Sequence, residues 1–310
     1  MTAKTSPSWM TRFWAVVRYE ILWNIRKKKF IGMIIFAFVF ATLSLTLPVI
    51  LTNVNGQPLD QNPDYVITSG AGIGGIALFL FAVVTVMNSI SGEFESGTIV
   101  PLLTKPVSRT MVFLGKLFAA FIILLSAYFV LFLYMTIGGT VIFGPQNNLH
   151  LVPLVLLGNV LSTFVWIAIV LAIGSISKSS MIAALGAFGI FIALSISASI
   201  VSVFSDQMGV LTYVPGGGAT GYIKSLPSQA SGLPGLAVST GTDGIGASLI
   251  TYILHPSAEV TFSRMIPPFD KIYSEPISVV ASRSIAVAIV YMLAFLFIAW
   301  YFFKRAQILE

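Results

Sequence analysis

The chain has 310 residues, of which 56% are hydrophobic and 9% are charged, and its mean hydropathy is +0.94. These values exclude a soluble globular protein and indicate a membrane protein. The net charge of +6 would suit a nucleic-acid-binding protein, but the basic residues flank apolar runs, where they set topology and contact anionic lipid, so no nucleic-acid partner is expected.

The first predicted element is an amphipathic helix over residues 9–28. Apolar residues at helical spacing form one stripe along it, and the basic run RKKK at 26–29 follows. The stripe consists of Met10, Phe13, Trp14, Val17, Ile21 and Ile25. Such a helix is expected to lie in the cytoplasmic interface of the membrane, either as a surface anchor alone or with a docking role as well.

Six apolar runs are long enough to cross a bilayer core about 30 Å thick as helices. They cover residues 30–51, 70–90, 112–143, 151–176, 181–204 and 284–303. The predicted fold class is therefore an all-α membrane protein, a single transmembrane domain over residues 1–310. No Asp, Glu, Lys or Arg falls at mid-membrane depth in these runs, which argues against an ion-coupled transporter and implies an energy source elsewhere.

The 17 Lys and Arg residues divide unevenly between the two sides of a six-span topology. One side holds Lys4, Arg12, Arg18, Arg26, Lys27, Lys28, Lys29, Lys105, Arg109, Lys116, Lys178, Lys304 and Arg305; the other holds Lys224, Arg264, Lys271 and Arg283. The positive-inside rule places the first side and both termini in the cytoplasm. The predicted location is the cell (plasma) membrane, with the chain crossing it several times. The long first span is read as an uncleaved anchor.

Two connections between spans are long enough to carry function. Residues 92–111, between spans two and three, are predicted to be cytoplasmic, and residues 205–282, between spans five and six, to be extracellular. The extracellular segment is rich in Gly and Pro, with turn signals at 216–218, 227–235 and 241–246. Residues 247–254 are predicted to form a short helix near the membrane.

Catalytic signatures are sparse. No G-x-x-x-x-G-K-[ST] phosphate loop is present, so the chain is not expected to hydrolyse ATP, and the absence of cysteine excludes thiolate metal sites and thiol catalysis. His150 and His255 are the two histidines of the chain, and two isolated histidines do not make a metal site. An intramembrane hydrolase that uses Ser248 and His255 remains an alternative, because these are the required residue types.

A cluster of charges interrupts the apolar sequence in the cytoplasmic segment. Glu93-Phe94-Glu95-Ser96-Gly97-Thr98-Ile99 is followed by Leu102-Leu103, by Pro106-Val107-Ser108-Arg109 and by Gly115-Lys116. This succession resembles the pattern E-x-E-x-G-T-[IL]…L-L…P-[VI]-S-R…G-K of permeases of type-two ABC exporters. Six spans, cytoplasmic termini and an amphipathic N-terminal helix agree with the same family.

The resemblance implies a non-catalytic membrane subunit of an ATP-driven exporter. Two permease domains, either two copies of this chain or this chain and a related one, would pair above two cytoplasmic ATPase subunits that bind ATP and Mg; no cofactor is expected in this chain. The segment between spans two and three would be a coupling helix that docks on the ATPase. The residues carried over to that role are Glu93, Phe94, Glu95, Gly97, Thr98, Leu102, Leu103, Pro106, Ser108 and Arg109.

The residues themselves suit a docking helix, because apolar side chains alternate with charges that set register. Gly97 is expected to interrupt the helix, and Pro106 to end it. Pro101 requires either a helix that starts near Thr98 or a bent one. The alternative is an ordinary solvated loop in which Lys105 and Arg109 bind anionic lipid.

Mildly polar residues within the spans are candidates for a substrate path or for simple contacts between helices. They are Asn88, Asn159, Ser162, Trp166, Ser195 and Ser199. An aromatic-rich bundle favours an amphipathic or hydrophobic substrate, whose identity is unknown. A second hypothesis for the whole chain is a mechanical transmitter, in which the same ATPase-coupled dimer acts on an outer partner through residues 205–282 without transport.

Overall fold

The computed structural model describes residues 8–56, 59, 61, 63–71, 75–98, 107–204, 208–226, 235–263 and 271–306. The helices in these ranges are α1 (Trp9–Arg26), α2 (Lys29–Val54), α3 (Tyr65–Ala71), α4 (Gly75–Val86), α5 (Ser91–Glu95), α6 (Arg109–Phe143), α7 (Val152–Ser177), α8 (Ser180–Phe204), α9 (Ile245–Leu254) and α10 (Ile277–Arg305). The strands are β1 (Thr220–Ile223), β2 (Leu236–Ser239), β3 (Glu259–Ser263) and β4 (Lys271–Pro276).

Six helical segments of the described chain are long and apolar enough to cross a membrane, which confirms the predicted fold class. They are Lys29–Val54, Gly75–Glu95, Arg109–Phe143, Leu149–Ser177, Ser180–Ser202 and Ile277–Arg305. The last begins seven residues before the predicted start at 284, because the apolar residues Ile277 and Val280 pack under the sheet and extend the helix beyond its membrane-length run.

Helix α7 forms the centre of the bundle. Of its most apolar stretch 83% is buried within the chain, whereas 17% or less is buried in α2, α8 and α10. Trp166, in α7, is among the largest side chains that are fully buried. The outer faces of α2, α8 and α10 are therefore apolar surfaces available to lipid or to another chain.

The two ends of the bundle differ in structure. At the terminal end, defined by α1 and the end of α10, Val16 of α1 contacts Gly115 near the start of α6, and Arg109 of α6 binds main-chain carbonyls of Lys304 and Ala306. At the opposite sheet end, β4 ends at Pro276, which is the N-cap of α10. The 29 residues of α10 thus connect the two ends without interruption.

The segment between α8 and α10 forms a four-stranded antiparallel sheet of order β2-β1-β3-β4. Its buried face includes Ile223, Val238, Val260 and Phe262, which pack with the first turn of α10. The sequence analysis predicted turns in this region and did not predict the strands. Strands of four to six residues are too short for alternation to stand out between glycines and prolines.

The predicted short helix at 247–254 is confirmed and starts two residues earlier, as α9. This helix packs on α7 and α10, inside the bundle rather than over it. The contact with α7 is a direct approach of two backbones, because a Cβ on Gly158 would lie 2.8 Å from Gly246 Cα. Part of the segment predicted to be extracellular therefore enters the helical bundle.

Candidate functional site

Helix α5 carries the first half of the charged cluster that the sequence analysis singled out. Ser96 follows its last residue, and Gly97 has a φ of +67°, a left-handed conformation in which glycine avoids a Cβ clash. This confirms that Gly97 interrupts the helix. Ser96, Gly97 and Thr98 are exposed, and the Ser96 and Thr98 hydroxyls are 2.9 Å apart. The predicted coupling residues Leu102, Leu103 and Pro106, and also Pro101, lie outside the described residues.

Glu93 joins α5 to two other helices through a buried group of three charges. Lys116 Nζ of α6 lies 2.5 Å from Glu20 Oε1 of α1 and 2.6 Å from Glu93 Oε1. Lys116 and Glu20 are each 5% exposed. We call Glu20, Glu93 and Lys116 the charge triad. Buried charges are tolerated only when they are paired, so each member holds the others in position.

Glu95 joins α5 to a fourth helix, α8. Its exposed carboxylate accepts a hydrogen bond from the Ser180 main-chain N–H at 2.8 Å and another from the Ser180 hydroxyl. These donors stand at the N-terminus of α8, where unpaired amides and the helix dipole favour an anion. The two glutamates of the E-x-E pattern therefore contact different helices, because Glu93 faces the bundle and Glu95 faces the start of α8.

The end of α10 packs against the same region. Ser108 Oγ accepts the Met111 N–H at 3.1 Å and so caps α6, and Arg109 then donates to the carbonyl oxygens of Lys304 at 3.0 Å and Ala306 at 2.7 Å. Phe303 lies 6.2 Å from Phe94 of α5 between ring centroids. Helix α5 thus contacts α6, α8 and α10 directly and is linked to α1 through Lys116, so a displacement of α5 would affect all four helices.

The sequence analysis missed Glu20. It is the one acidic residue of α1, in a helix that otherwise carries Arg12, Arg18 and Arg26. It also lies one turn after Val16 and Val17, the other buried residues of this helix. An isolated carboxylate on the buried side of a basic helix predicts a cationic partner in the bundle. The apolar stripe predicted along α1 does not lie on one buried face, because Val17 is buried whereas Met10, Trp14 and Ile25 are exposed.

The predicted substrate-path residues are only partly brought together. Trp166 and Ser195 line a cavity of about 190 Å³ between α7, α8 and the turn 214–218. Asn159 and Ser162 are buried in α7, where Ser162 Oγ donates to the Gly158 carbonyl, an ordinary contact within a helix. Ser199 is exposed on α8, and Asn88 lies at the terminal end beside Gly92. Within one chain these residues do not line a continuous path.

A buried carboxylate that the sequence analysis did not single out lies next to this cavity. Asp243, in the turn before α9, is 6% exposed and accepts the indole N–H of Trp166 at 3.1 Å. Burial raises the pKa of Asp243 to about 6, and the hydrogen bonds from Trp166 and Thr242 only partly offset this rise. A Thr-Asp-Gly turn in a Gly-rich segment is normally exposed, so the pattern did not indicate burial.

The arrangement of Ser248 and His255 opposes a hydrolase. Ser248 is buried and its hydroxyl donates to the Ile245 carbonyl at 3.1 Å, whereas His255 is exposed at the other end of α9. Seven residues of helix separate them by roughly 10 Å along the axis, too far for a hydrogen bond. Within the described ranges no group of three or more His, Cys, Asp or Glu residues is placed to hold a metal ion.

Replacing Arg109 with glutamine should loosen the last turn of α10. The shorter, neutral side chain cannot hold the two carbonyl oxygens that the guanidinium now binds. Amide hydrogen exchange of residues 300–306 is expected to become several-fold faster. The control is Arg18→Gln, which changes an exposed arginine of α1. Equal exchange in both variants would mean that Arg109 does not retain this turn.

Comparison with known families gives one match that spans almost the whole chain. A family model described as "ABC-2 family transporter protein" matches residues 14–308. The matched range contains all six candidate spans, the charge triad and Asp243. No curated protein matches the chain.

Proposed function

The chain belongs to the ABC-2 transporter family, and from this we propose that it is the membrane-spanning permease of an ATP-driven exporter. Members of this family are membrane components of transporters, so its role is transport rather than catalysis. Hydrolysis of ATP is assigned to two separate cytoplasmic ATPase subunits, which bind ATP and Mg. The location is the plasma membrane, with both termini in the cytoplasm, as the uneven distribution of Lys and Arg favours.

The contacts of α5 are the observation that carries this proposal. An ATPase that closes on ATP must displace part of the membrane subunit. Helix α5 contacts α6, α8 and α10 through charged, polar and aromatic side chains and is linked to α1 through Lys116. Glu93 and Glu95 act as internal links in this arrangement. The exposed residues Ser96, Gly97 and Thr98 are proposed to contact the ATPase. A displacement of this turn would be transmitted to α6, α8 and α10 directly and to α1 through Lys116.

The substrate is proposed to move along an interface between two membrane subunits, through alternating exposure of a path. Helix α8 supports this, because 17% of its most apolar stretch is buried in the chain, and the apolar face that is left exposed suits either lipid or a second subunit. The cavity beside Trp166 opens on the same helix, at the exposed residue Ser195. The second subunit is another copy of this chain or a related permease.

The experiment is co-purification with an ATPase that carries the phosphate loop G-x-x-x-x-G-K-[ST]. We expect the chain alone to show no ATP hydrolysis and the ATPase to remain bound to it. Thr98→Trp, in the exposed turn after α5, should weaken the association at least tenfold. Tyr213→Trp, which changes an exposed residue at the sheet end, should leave it unchanged. Failure of every such ATPase to bind, or equal binding by both variants, contradicts the proposal.

A second candidate is a mechanical transmitter that acts on a partner at the sheet end. The observation in its favour is the absence of a linker between β4 and α10, since a rotation of α10 would move the sheet directly. A paired complex that is closed along its length and holds a protein on the sheet would support transmission. A groove between the two subunits that reaches the cavity at Trp166 would support export.

A further inference from the structure

The turn that carries Asp243 reaches far into the bundle. Its partner Trp166 lies fourteen residues after the start of α7 at Val152, roughly 21 Å along the helix at 1.5 Å per residue. The turn is held there by the Gly216 N–H, which donates to Thr242 Oγ1 at 2.9 Å, and by the Asp243 N–H, which donates to the Gly216 carbonyl at 3.2 Å. The fold therefore places a carboxylate deep inside the bundle, away from the charge triad at the terminal end.

One of the two oxygens of the Asp243 carboxylate has no hydrogen-bond donor among the described residues. Oδ1 accepts hydrogen bonds from Trp166 and, at 3.4 Å, from Thr242, but among the residues that the structure describes no donor reaches Oδ2. Oδ2 abuts Gly75 of α4, where any side chain would collide with it. A carboxylate that is buried without an opposite charge is costly unless it meets a proton or a cation.

Among the residues that the structure describes, the elements packed around Asp243 show no cation paired with it. The sequences of α4, α7 and α9 contain no Lys, Arg or His. From α6 the phenol of Tyr128 interacts electrostatically with Asp243, and this phenol shares a hydrogen bond of 2.8 Å with Thr163. Helix α10 carries Arg283, but this residue is paired with Glu275 at 2.7 Å and lies over the ring of Tyr213.

Aromatic rings stand between this charge and the cavity. Trp166 and Phe191 both line the cavity, with centroids 5.4 Å apart, and Phe79 stacks on Phe191 at 4.8 Å. An indole that donates its N–H to a carboxylate becomes more electron-rich, and its face attracts cations. A volume of about 190 Å³ equals roughly six water molecules, enough for an ammonium head group and part of a ring.

We propose that the cavity lined by Trp166, Phe191 and Ser195 binds the head group of an organic ammonium ion against its aromatic rings, with the buried carboxylate of Asp243 supplying negative charge from behind the Trp166 indole. The apolar remainder of the ligand would leave the cavity past Ser195, along the exposed face of α8. That this ligand is also the exported substrate rests on the proposed function. Binding itself does not, because it requires no ATPase.

The proposal predicts a definite dependence on pH. The pKa of Asp243 is raised by burial to about 6, so the carboxyl is ionised above that pH and neutral below it. The cation is bound by the ionised form. Affinity is therefore expected to be constant above about pH 7 and to fall as the pH drops through 6 and below. The guanidinium of Arg283 stays charged and the phenol of Tyr128 stays neutral over this range, so neither contributes to the change.

The test is equilibrium dialysis of benzyltrimethylammonium against the purified full chain in lipid nanodiscs. The chain without ATPase should bind the cation saturably, and more tightly than neopentylbenzene, its neutral isostere. Asp243→Asn keeps the shape and should weaken the binding of the cation by roughly 10- to 100-fold without weakening that of the isostere. Glu259→Gln, which removes an exposed carboxylate from the sheet, is the control and should change neither.

A second variant keeps the test decisive if Asp243→Asn does not fold. Trp166→Phe retains a ring but removes the N–H that stabilises the ionised carboxylate, so the pH midpoint of cation binding should rise. The inference is overturned if the wild-type chain does not bind the cation, if Asp243→Asn binds it equally, or if the midpoint stays constant in Trp166→Phe. Competition by sodium at equal concentration would also overturn it, because the site would then select a metal ion.

The outcomes separate this inference from the proposed function. If the cation binds saturably but is not moved in an ATP-driven manner, the binding site is supported and transport of this cation is contradicted. If an ATPase binds the chain but the cation does not, the permease function is supported and the proposed cation site is contradicted.

Discussion

Replacing Lys116 with methionine is expected to destabilise the protein more than any other single substitution considered. Methionine has a similar length but leaves Glu20 and Glu93 with no cation between them. Removing one partner of a buried ion pair typically costs about 3–5 kcal/mol, since the remaining charge is uncompensated. Thermal unfolding in nanodiscs should show a large drop for Lys116→Met and little change for Lys224→Met, which alters an exposed lysine.

The charge triad can also be removed as a unit. Combining Lys116→Met with Glu20→Gln and Glu93→Gln leaves no uncompensated charge, so most of the lost stability should return. The links between α1, α5 and α6 would then be weaker and neutral. We expect this triple variant to bind the ATPase but to transmit its movement poorly. If Lys116→Met alone unfolds at the wild-type temperature, the triad does not hold these helices together.

The second large effect is expected at Gly158, where α7 meets α9. A Cβ at this position would lie 2.8 Å from Gly246 Cα and 2.9 Å from Gly246 N, and backbone atoms cannot move aside as a flexible side chain can. Gly158→Ala should therefore cost about 1–3 kcal/mol through overpacking and should speed amide exchange in α9.

The matched control for Gly158 has the opposite expected sign. Gly189 lies in α8, and among the described residues nothing stands within 4 Å of the place that a Cβ would take. Gly189→Ala therefore gains helix propensity, up to about 1 kcal/mol, without a clash. Two identical substitutions in two apolar helices should thus shift the unfolding temperature in opposite directions. Equal shifts would contradict the close approach of α7 and α9.

The features that could be predicted from sequence are those fixed by short-range physics. An apolar run long enough to cross the bilayer core forms a spanning helix whichever elements it packs against. The helices α2, α6, α7 and α8 therefore start and end close to the predicted limits. Gly97 could be predicted as a helix end, because few other residues adopt its left-handed conformation without strain.

The features that could not be predicted depend on which elements meet. Nothing local to Glu20, Glu93 or Lys116 indicates that the three meet, since 73 residues of sequence separate the two glutamates. Asp243 is similar: its burial follows from the insertion of its turn beside Trp166, 77 residues earlier in the chain. The expectation that no ionisable group is available at membrane depth is therefore wrong for Asp243, because a connecting segment inserts it into the bundle.

The most direct measurement of the central claim follows the movement of the helices when the ATPase binds ATP. Because the chain has no cysteine, Leu47→Cys on α2 and Ile196→Cys on α8, both exposed positions, can carry a pair of spin labels. In the complex with the ATPase, addition of ATP should change the distance between the labels. The change should disappear in a chain that also carries Glu93→Gln and Glu95→Gln, while the ATPase stays bound. An ATP-dependent distance change of the same size in that variant would contradict the role of α5 as the link between ATP hydrolysis and the membrane helices.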